Sequence, residues 1–154
     1  MASAAPAHHL SATLQVQMFD HDPGRTDATI TNAAGTTVAS IKGQDMRDVS
    51  HLLVAAAPTV IGGNGLTLLE IVAATDTSFT TPVVIKASAA VVNDANGDYT
   101  VLECTAEDLQ AVSTADLRYA AARLTMATGT DEAVVTYVAQ SKRPRLNLTT
   151  SVQA

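Results

Sequence analysis

The chain of 154 residues is long enough for one domain with an ordinary hydrophobic core, and its net charge is −6. Charged residues make up only 16%, against about 25% in typical domains, so we expect a protein partner to cover part of the surface. The acidic balance argues against nucleic-acid binding, no apolar run reaches the roughly 18 residues of a membrane span, and the single cysteine, Cys104, excludes a disulfide framework.

Residues 1–15 are small, polar or proline-containing and show no sustained apolar period. We predict that they form an N-terminal arm, which is either disordered in isolation or lies along a neighbouring subunit, because they cannot build a core. His8, His9 and Leu10 are its candidate partner contacts, although the two histidines would also be satisfied as solvated side chains. The arm lacks the charged and apolar segments of a secretion signal, so we expect a soluble protein that is not exported by the Sec route.

Segments rich in β-branched and apolar residues follow, separated by turns of glycine, proline, aspartate and asparagine. They predict one strand beginning at Leu14 and further strands over 26–32, 36–41, 66–73, 83–87 and 99–104. Ala33-Ala34-Gly35 predicts a hairpin between the second and third of these strands. Asn96-Gly97 is the strongest short hairpin signal, and it predicts that the last strand pairs back on the one before it.

Three segments carry a mixed helix and strand pattern. In 45–58, apolar residues recur at the i, i+3, i+4 and i+7 positions of a helix, and a buried strand fits the same residues equally. Thr105, followed three residues later by Asp108, resembles a capping box and predicts one or two helical turns. In 117–127 alanines favour helix, but the alternation and the following turn favour a strand.

The stretch 117–145 contains the most informative pattern in the chain. Over 134–139, β-branched residues alternate with a second apolar set, as they do in a strand with two packed faces. The turn 128–131 supplies a glycine for positive φ and an aspartate that can bond its own backbone. We therefore predict a hairpin of two strands joined by this turn.

One basic cluster ends this stretch, at Lys142, Arg143 and Arg145. Three cations in four residues would dock an acidic surface, and they would equally protect a strand edge from unwanted pairing. We take the three residues as candidate partner contacts and leave both roles open.

Short strands separated by turns at intervals of about 8 to 12 residues indicate a mainly β fold. We predict an antiparallel β-sandwich, jelly-roll-like, with one or two short helices. The predicted organisation is an arm over 1–15, a sandwich domain over 16–146 and a C-terminal tail over 147–154.

Motifs that would carry chemistry are weak in this sequence. Asp20-His21-Asp22 is extended, so its three side chains cannot face one metal ion, and 94–98 resembles a calcium loop without its distal glutamate. Gly62-Gly63-Asn64-Gly65 lacks the lysine and hydroxyl residue of a phosphate loop, and His51 has no nucleophile of matching spacing. We expect no metal, no cofactor and no enzymatic activity, and we expect Cys104 to be a buried structural residue.

Beyond these motifs, the chain resembles a group of small virion proteins of tailed bacteriophages over about 49–145. In that group a strand with an acidic residue leads to a D-x-x-F turn, and a later strand with a tyrosine leads through a G-T turn into a valine-rich strand. The matching residues are Glu70, Asp76, Phe79, Tyr119, Gly129 and Thr130. Where members often carry an arginine two positions after the tyrosine, this chain has Ala121, with Arg118 and Arg123 nearby.

The resemblance implies a structural protein of the virion, of the capsid cement or decoration type. It would bind the outer capsid lattice through the major capsid protein, as a homo-oligomer and by analogy a trimer. It would lie on the capsid surface after synthesis in the host cytoplasm. The alternatives are a tail or head-to-tail connector component and a carbohydrate- or ligand-binding β-sandwich module, although the chain has only three tyrosines and two phenylalanines for a binding platform.

Overall fold

The computed structural model describes residues 14–21, 36–38, 44–62, 65–89, 95, 97–128 and 130–142, with 14–21 and 36–38 described as backbone alone. Nine β-strands and one α-helix lie in these ranges. They are β1 (Leu14–His21), β2 (Thr36–Val38), β3 (Gln44–Asp45), β4 (Val49–Val60), β5 (Leu66–Ala74), β6 (Val83–Ala87), β7 (Thr100–Thr105), α1 (Ala106–Val112), β8 (Tyr119–Met126) and β9 (Glu132–Ser141). Both of the segments that left helix and strand open, 45–58 and 117–127, are therefore mainly strand.

The strands form two antiparallel sheets. Sheet A has the order β1-β9-β4-β7, and sheet B has the order β2-β8-β5-β6, with β3 also pairing with β8. Because β2 and β3 follow one another along β8, each sheet has four strand positions. β1 pairs with β9, the last strand of the chain, and β5 pairs with β6, the two strands at the middle of the chain order. This is the arrangement of a jelly roll. The predicted antiparallel β-sandwich is confirmed, with one short helix in the described part of the chain.

The predicted hairpin of 117–145 is wrong, although both of its strands exist. β8 pairs with β5 in sheet B, whereas β9 pairs with β1 and β4 in sheet A. Since β1 and β4 occupy both hydrogen-bonding sides of β9, no side is left for β8. The turn between β8 and β9 therefore carries the chain from one sheet to the other.

The predicted pairing after Asn96-Gly97 is also wrong. The strand 99–104 corresponds to β7, which pairs with β4 in sheet A, while the preceding β6 pairs with β5 in sheet B. Gly97 does occupy a turn with a φ of +100°, and the Asp98 amide donates to the Ala95 carbonyl oxygen at 3.2 Å. The local turn chemistry was identified, but the strand that follows finds its partner elsewhere.

The predicted hairpin around Ala33-Ala34-Gly35 falls largely on residues that the structure does not describe. The strand predicted over 26–32 lies outside the described residues. The strand predicted over 36–41 contains β2, which pairs with β8 through Thr36 opposite Thr125 and Val38 opposite Arg123.

Helix α1 begins where the capping box was predicted. The Thr105 side chain accepts a hydrogen bond from the Asp108 amide at 3.2 Å, and Asp108 accepts one from the Thr105 amide at 2.8 Å. Leu109 is the buried residue of the helix, and an ion pair of 3.1 Å between Asp108 and Lys86 links the helix to β6. The helix thus follows β7 of sheet A and is tied to an edge strand of sheet B.

Alternating residues of the two sheets meet in one hydrophobic core. Inward-facing members include Leu52 and Val54 of β4, Leu69 and Ile71 of β5, Ala122 and Leu124 of β8, and Val135 and Tyr137 of β9. Ala122 lies between the positions of β8 that pair with β2 and with β3. Its amide donates to the Tyr137 hydroxyl at 2.6 Å, so a side chain from sheet A satisfies backbone of sheet B inside the core.

Two sheet-to-sheet connections meet at one end of the sandwich, the β4–β5 loop and the β8–β9 turn. The fully buried Asp131 accepts hydrogen bonds from the Gly62 amide at 2.6 Å and from the Thr128 amide at 2.7 Å. A Cβ atom at Gly62 would collide with Thr130 Oγ1, so the contact requires glycine there. Asp131 therefore joins the two connections, and Gly62, the first glycine of the run 62–65, serves close packing.

Candidate interaction surfaces

One of the six predicted partner contacts, Lys142, lies among the described residues. The other five lie outside them: His8, His9, Leu10, Arg143 and Arg145. Lys142 is exposed directly after β9, and its amide donates to the Asp48 carbonyl oxygen at 2.8 Å. This bond places the start of the basic cluster beside the turn between β3 and β4. Whether the cluster docks an acidic surface or protects an edge stays a prediction.

The described outward side chains in the middle of sheet A are uncharged. Over 53–57 of β4 and 134–138 of β9, every second residue points away from the core and is half-buried. We call these residues, with Val101 of β7, the sheet A outer face: Leu53, Ala55, Ala57, Val101, Val134, Thr136 and Val138. The register sets Leu53 opposite Val138 and Ala55 opposite Thr136, so small uncharged side chains adjoin across the strands.

The charged side chains among the described outward residues of sheet A lie at the margins of this face. Glu103 is exposed on the edge strand β7, and Glu132 begins β9. At the other end of the same strands, His51 lies opposite Gln140, and both side chains are exposed. Along β7 and at both strand ends, the described part of the face is thus bordered by hydrophilic residues, an arrangement typical of protein interaction sites.

Sheet B presents an outward ion pair instead. Glu70 of β5 lies opposite Arg123 of β8, and the two side chains form a bidentate pair with Nε–Oε2 and Nη2–Oε1 distances of 2.6 and 2.9 Å. Only 11% of the Glu70 side chain and 21% of the Arg123 side chain are exposed. The fork geometry of the guanidinium satisfies both carboxylate oxygens, so this part of sheet B is internally neutralised.

Beside this pair, a second hydrophobic cluster covers the outward side of sheet B. Val72, Ala74 and Ala121 are buried there, with Phe79 from the β5–β6 turn packed among them and Tyr119 against them. Phe79 has a φ of +49°, the left-handed region that costs an L-residue roughly 1 to 2 kcal/mol. The side chain therefore reaches the sheet through an unfavourable backbone conformation, which its burial has to offset.

A charged cluster that the sequence had not indicated lies at the β3–β4 turn. Asp45 binds the side chains of both Arg47 and Arg118, with Nη2–Oδ2 distances of 2.8 and 2.9 Å. Burial acts to raise the pKa of Asp45, but the hydrogen bonds from the two arginines outweigh it and hold the pKa well below its usual range. The contact between Arg118 and Asp45 could not be anticipated from the sequence, because the two residues are 73 positions apart.

The buried titratable groups have structural surroundings. Desolvation raises the pKa of the Cys104 thiol to about 12, so Cys104 is the buried structural residue that was expected. Burial also raises the pKa of Tyr137, whose hydroxyl is engaged with the Ala122 amide. The pKa of Asp108 is lowered, chiefly by the hydrogen bond from the Thr105 amide and then by the hydrogen bond from Lys86.

Within the described residues, no group of three or more histidine, cysteine, aspartate or glutamate side chains converges on a possible metal site. Of the weak motifs, Asp22 and Asp94 lie outside the described residues, and the described part of 94–98 forms a turn. The helix in this part of the chain is too short and too polar to span a membrane.

Comparison with protein-family models, with curated protein sequences and with solved structures found no match to this chain.

Proposed function

We propose that this protein is a structural subunit of a virion, of the capsid decoration type, and that it attaches to its partner through the sheet A outer face. The observation that carries the proposal is the contrast in this face between apolar centre and hydrophilic margin. Burying such a surface releases water without stranding a charge, which is the main favourable term in protein association.

The size of the face favours binding in many copies. Strand spacing of about 4.8 Å and a two-residue repeat of about 6.8 Å give its seven residues roughly 230 Å² in all. A stable one-to-one interface buries about 800 Å² on each partner, so this face alone would bind weakly. A repeating shell that engages several linked copies converts weak contacts into stable attachment, which suits an oligomeric decoration protein.

Other features of the chain support the same role. The resemblance to small tailed-phage virion proteins includes Glu70, which is paired on the outward side of sheet B, and Phe79, which packs on that side. Jelly rolls also occur in viral capsid domains, although a fold of this kind hosts many functions and is an analogy only. The oligomeric state, the major capsid protein as partner and the location on the capsid belong to this proposal.

The composition of purified particles tests the virion assignment. Particles separated on a density gradient and analysed by quantitative mass spectrometry should contain this chain in numbers comparable to the shell subunits. A few copies per particle would indicate a tail or connector component instead. Absence from the particles would refute the assignment.

A matched pair of substitutions tests the attachment surface. Val101 on sheet A and Val84 on sheet B are edge-strand valines that are 42% and 37% exposed. Val101→Glu places a carboxylate in the proposed interface, so we expect at least a tenfold weaker co-sedimentation with undecorated capsids, about 1.4 kcal/mol. Val84→Glu adds the same charge outside the interface and should bind like the wild type. Equal binding by both variants would place the attachment surface elsewhere.

A further inference from the structure

Asp45 holds two arginines side by side at the β3–β4 turn. Arg47 approaches with Nε and Nη2 at 2.8 to 3.2 Å from the carboxylate oxygens, and Arg118 approaches with Nε and Nη2 at 3.1 and 2.9 Å from Oδ2. We call Arg47 and Arg118 the arginine clamp. One negative charge thus sits between two positive charges, which leaves the group with a net charge of about +1.

The position of Arg118 is fixed from its backbone outward. Its amide donates to the Ala74 carbonyl oxygen, and its own carbonyl accepts from the Met46 amide, each at 2.9 Å. Its guanidinium lies over the ring of Tyr119, with Cζ at 4.8 Å from the ring centroid. A side chain held in this way loses little entropy when it binds a ligand, so the clamp is preorganised.

Both guanidinium groups keep donors that Asp45 does not use. Each has five N–H donors, and the bonds to Asp45 engage its Nε and one Nη nitrogen. Nη1 of either arginine makes no hydrogen bond within the described part of the chain. The Arg47 side chain is 63% exposed and that of Arg118 is 33% exposed, so solvent or a partner can reach these donors.

A further cation lies at the same end of the sandwich. The hydrogen bond from the Lys142 amide to the Asp48 carbonyl sets Lys142 beside this turn, whereas Arg143 and Arg145 lie outside the described residues. The Asp48 carboxylate in turn acts electrostatically on Arg47. The surroundings therefore combine several donors with a low net charge, which suits individual carboxylates better than a dense row of phosphates.

We propose that the arginine clamp binds carboxylate side chains of an acidic segment on the partner protein. Guanidinium groups bind carboxylates through two parallel N–H···O bonds, and two guanidiniums held together by Asp45 offer adjacent sites for aspartates or glutamates. The inference deepens the proposed function, because the small sheet A outer face needs additional contacts to give stable attachment.

Calorimetric titration of the free protein with an oligoglutamate peptide tests the clamp. The wild type should bind at low salt and more weakly at about 0.15 M salt. Arg47→Gln should weaken binding about fivefold, the effect of one exposed ion pair. Lys86→Gln is the matched control, since it removes an exposed cation that pairs with Asp108 away from the clamp, and it should bind within about twofold of the wild type.

Several outcomes would overturn the clamp. They are absence of peptide binding by the wild type, equal weakening by Arg47→Gln and Lys86→Gln, and tighter binding of a single-stranded oligonucleotide than of the peptide. Thermal melting of each variant checks folding, and Arg47→Lys serves if Arg47→Gln melts early, with weakened binding again expected from the lost fork. Because capsids are absent from this titration, failure of the clamp leaves the Val101→Glu result, and with it the proposed function, intact.

Discussion

The two sheets of this sandwich treat their outward sides differently. Sheet A leaves small uncharged residues half-buried across its central strands, with charge only at the described margins. Sheet B pairs Glu70 with Arg123 and packs Phe79 onto its own valine and alanines. The chain therefore covers the outward side of sheet B with its own residues and leaves the described middle of sheet A uncovered, which is the basis for proposing sheet A as the partner-binding side.

This difference also separates two uses of charge. On sheet B the carboxylate and guanidinium are mostly desolvated and satisfy each other, so neither charge is left unpaired and both offer little to a ligand. In the arginine clamp the same chemistry is exposed and unbalanced, so donors remain for a partner. Counting charged residues does not distinguish these cases, whereas exposure and the ratio of cations to anions do.

Removing the Phe79 side chain should destabilise the hydrophobic cluster on the outward side of sheet B. Phe79→Ala should lower the free energy of unfolding by about 3 kcal/mol, because it empties a buried site. Phe79→Gly should lose about 1 kcal/mol less than Phe79→Ala, since glycine adopts positive φ without strain. Urea denaturation measures both values.

An aromatic residue beside sheet A provides the control for this comparison. Tyr99 is 70% exposed just before β7, so Tyr99→Ala should change stability by less than about 0.5 kcal/mol. A loss from Tyr99→Ala as large as that from Phe79→Ala would mean that both sheets are covered alike. A greater loss from Phe79→Gly than from Phe79→Ala would show that the left-handed backbone costs nothing.

Replacing the ion pair should convert sheet B into a second uncharged face. Glu70→Leu alone leaves Arg123 largely desolvated without its partner and should cost about 2 kcal/mol. The double variant Glu70→Leu/Arg123→Leu should return to within about 1 kcal/mol of the wild type, because no unpaired charge remains. Its new apolar surface should increase self-association, which sedimentation velocity at matched concentrations would detect. A double variant as unstable as the single one would show that the pair itself stabilises the fold.

Local sequence patterns identified most strands but not their partners. The alternation over 134–139 predicted the two faces of β9, and Thr105 with Asp108 predicted the start of α1. The turn residues at 128–131 and 95–98 suit a reversal within one sheet and a crossing between two sheets equally. Pairing was decided by β1 and β4, which are distant in sequence and occupy both sides of β9.

The candidate surfaces were predictable only in part, for the same reason. The basic cluster beginning at Lys142 could be recognised in the sequence, because its three cationic residues are neighbours in the chain. The arginine clamp joins residues from the β3–β4 turn and from the start of β8, so it exists only after the sheets have formed. An uncharged outward set on β4 was hidden by the helix-like spacing of its apolar residues, which left the strand assignment open.

Acid should destabilise the β3–β4 turn, at the margin of sheet B, more than it destabilises sheet A. The pKa of Asp45 is lower in the folded than in the unfolded state, so its stabilisation is complete above the unfolded value of about 3.9 and is lost as the pH falls below it toward the folded pKa. Asp45→Asn should therefore show a smaller loss of unfolding free energy between pH 7 and about pH 3 than the wild type, by up to about 1 kcal/mol. Glu103→Gln removes an exposed carboxylate of sheet A that makes no ion pair with a described residue, and its loss should match the wild type. Urea titrations at the two pH values measure these differences, and an equal acid response in Asp45→Asn and wild type would mean that the clamp carboxylate does not contribute to folding.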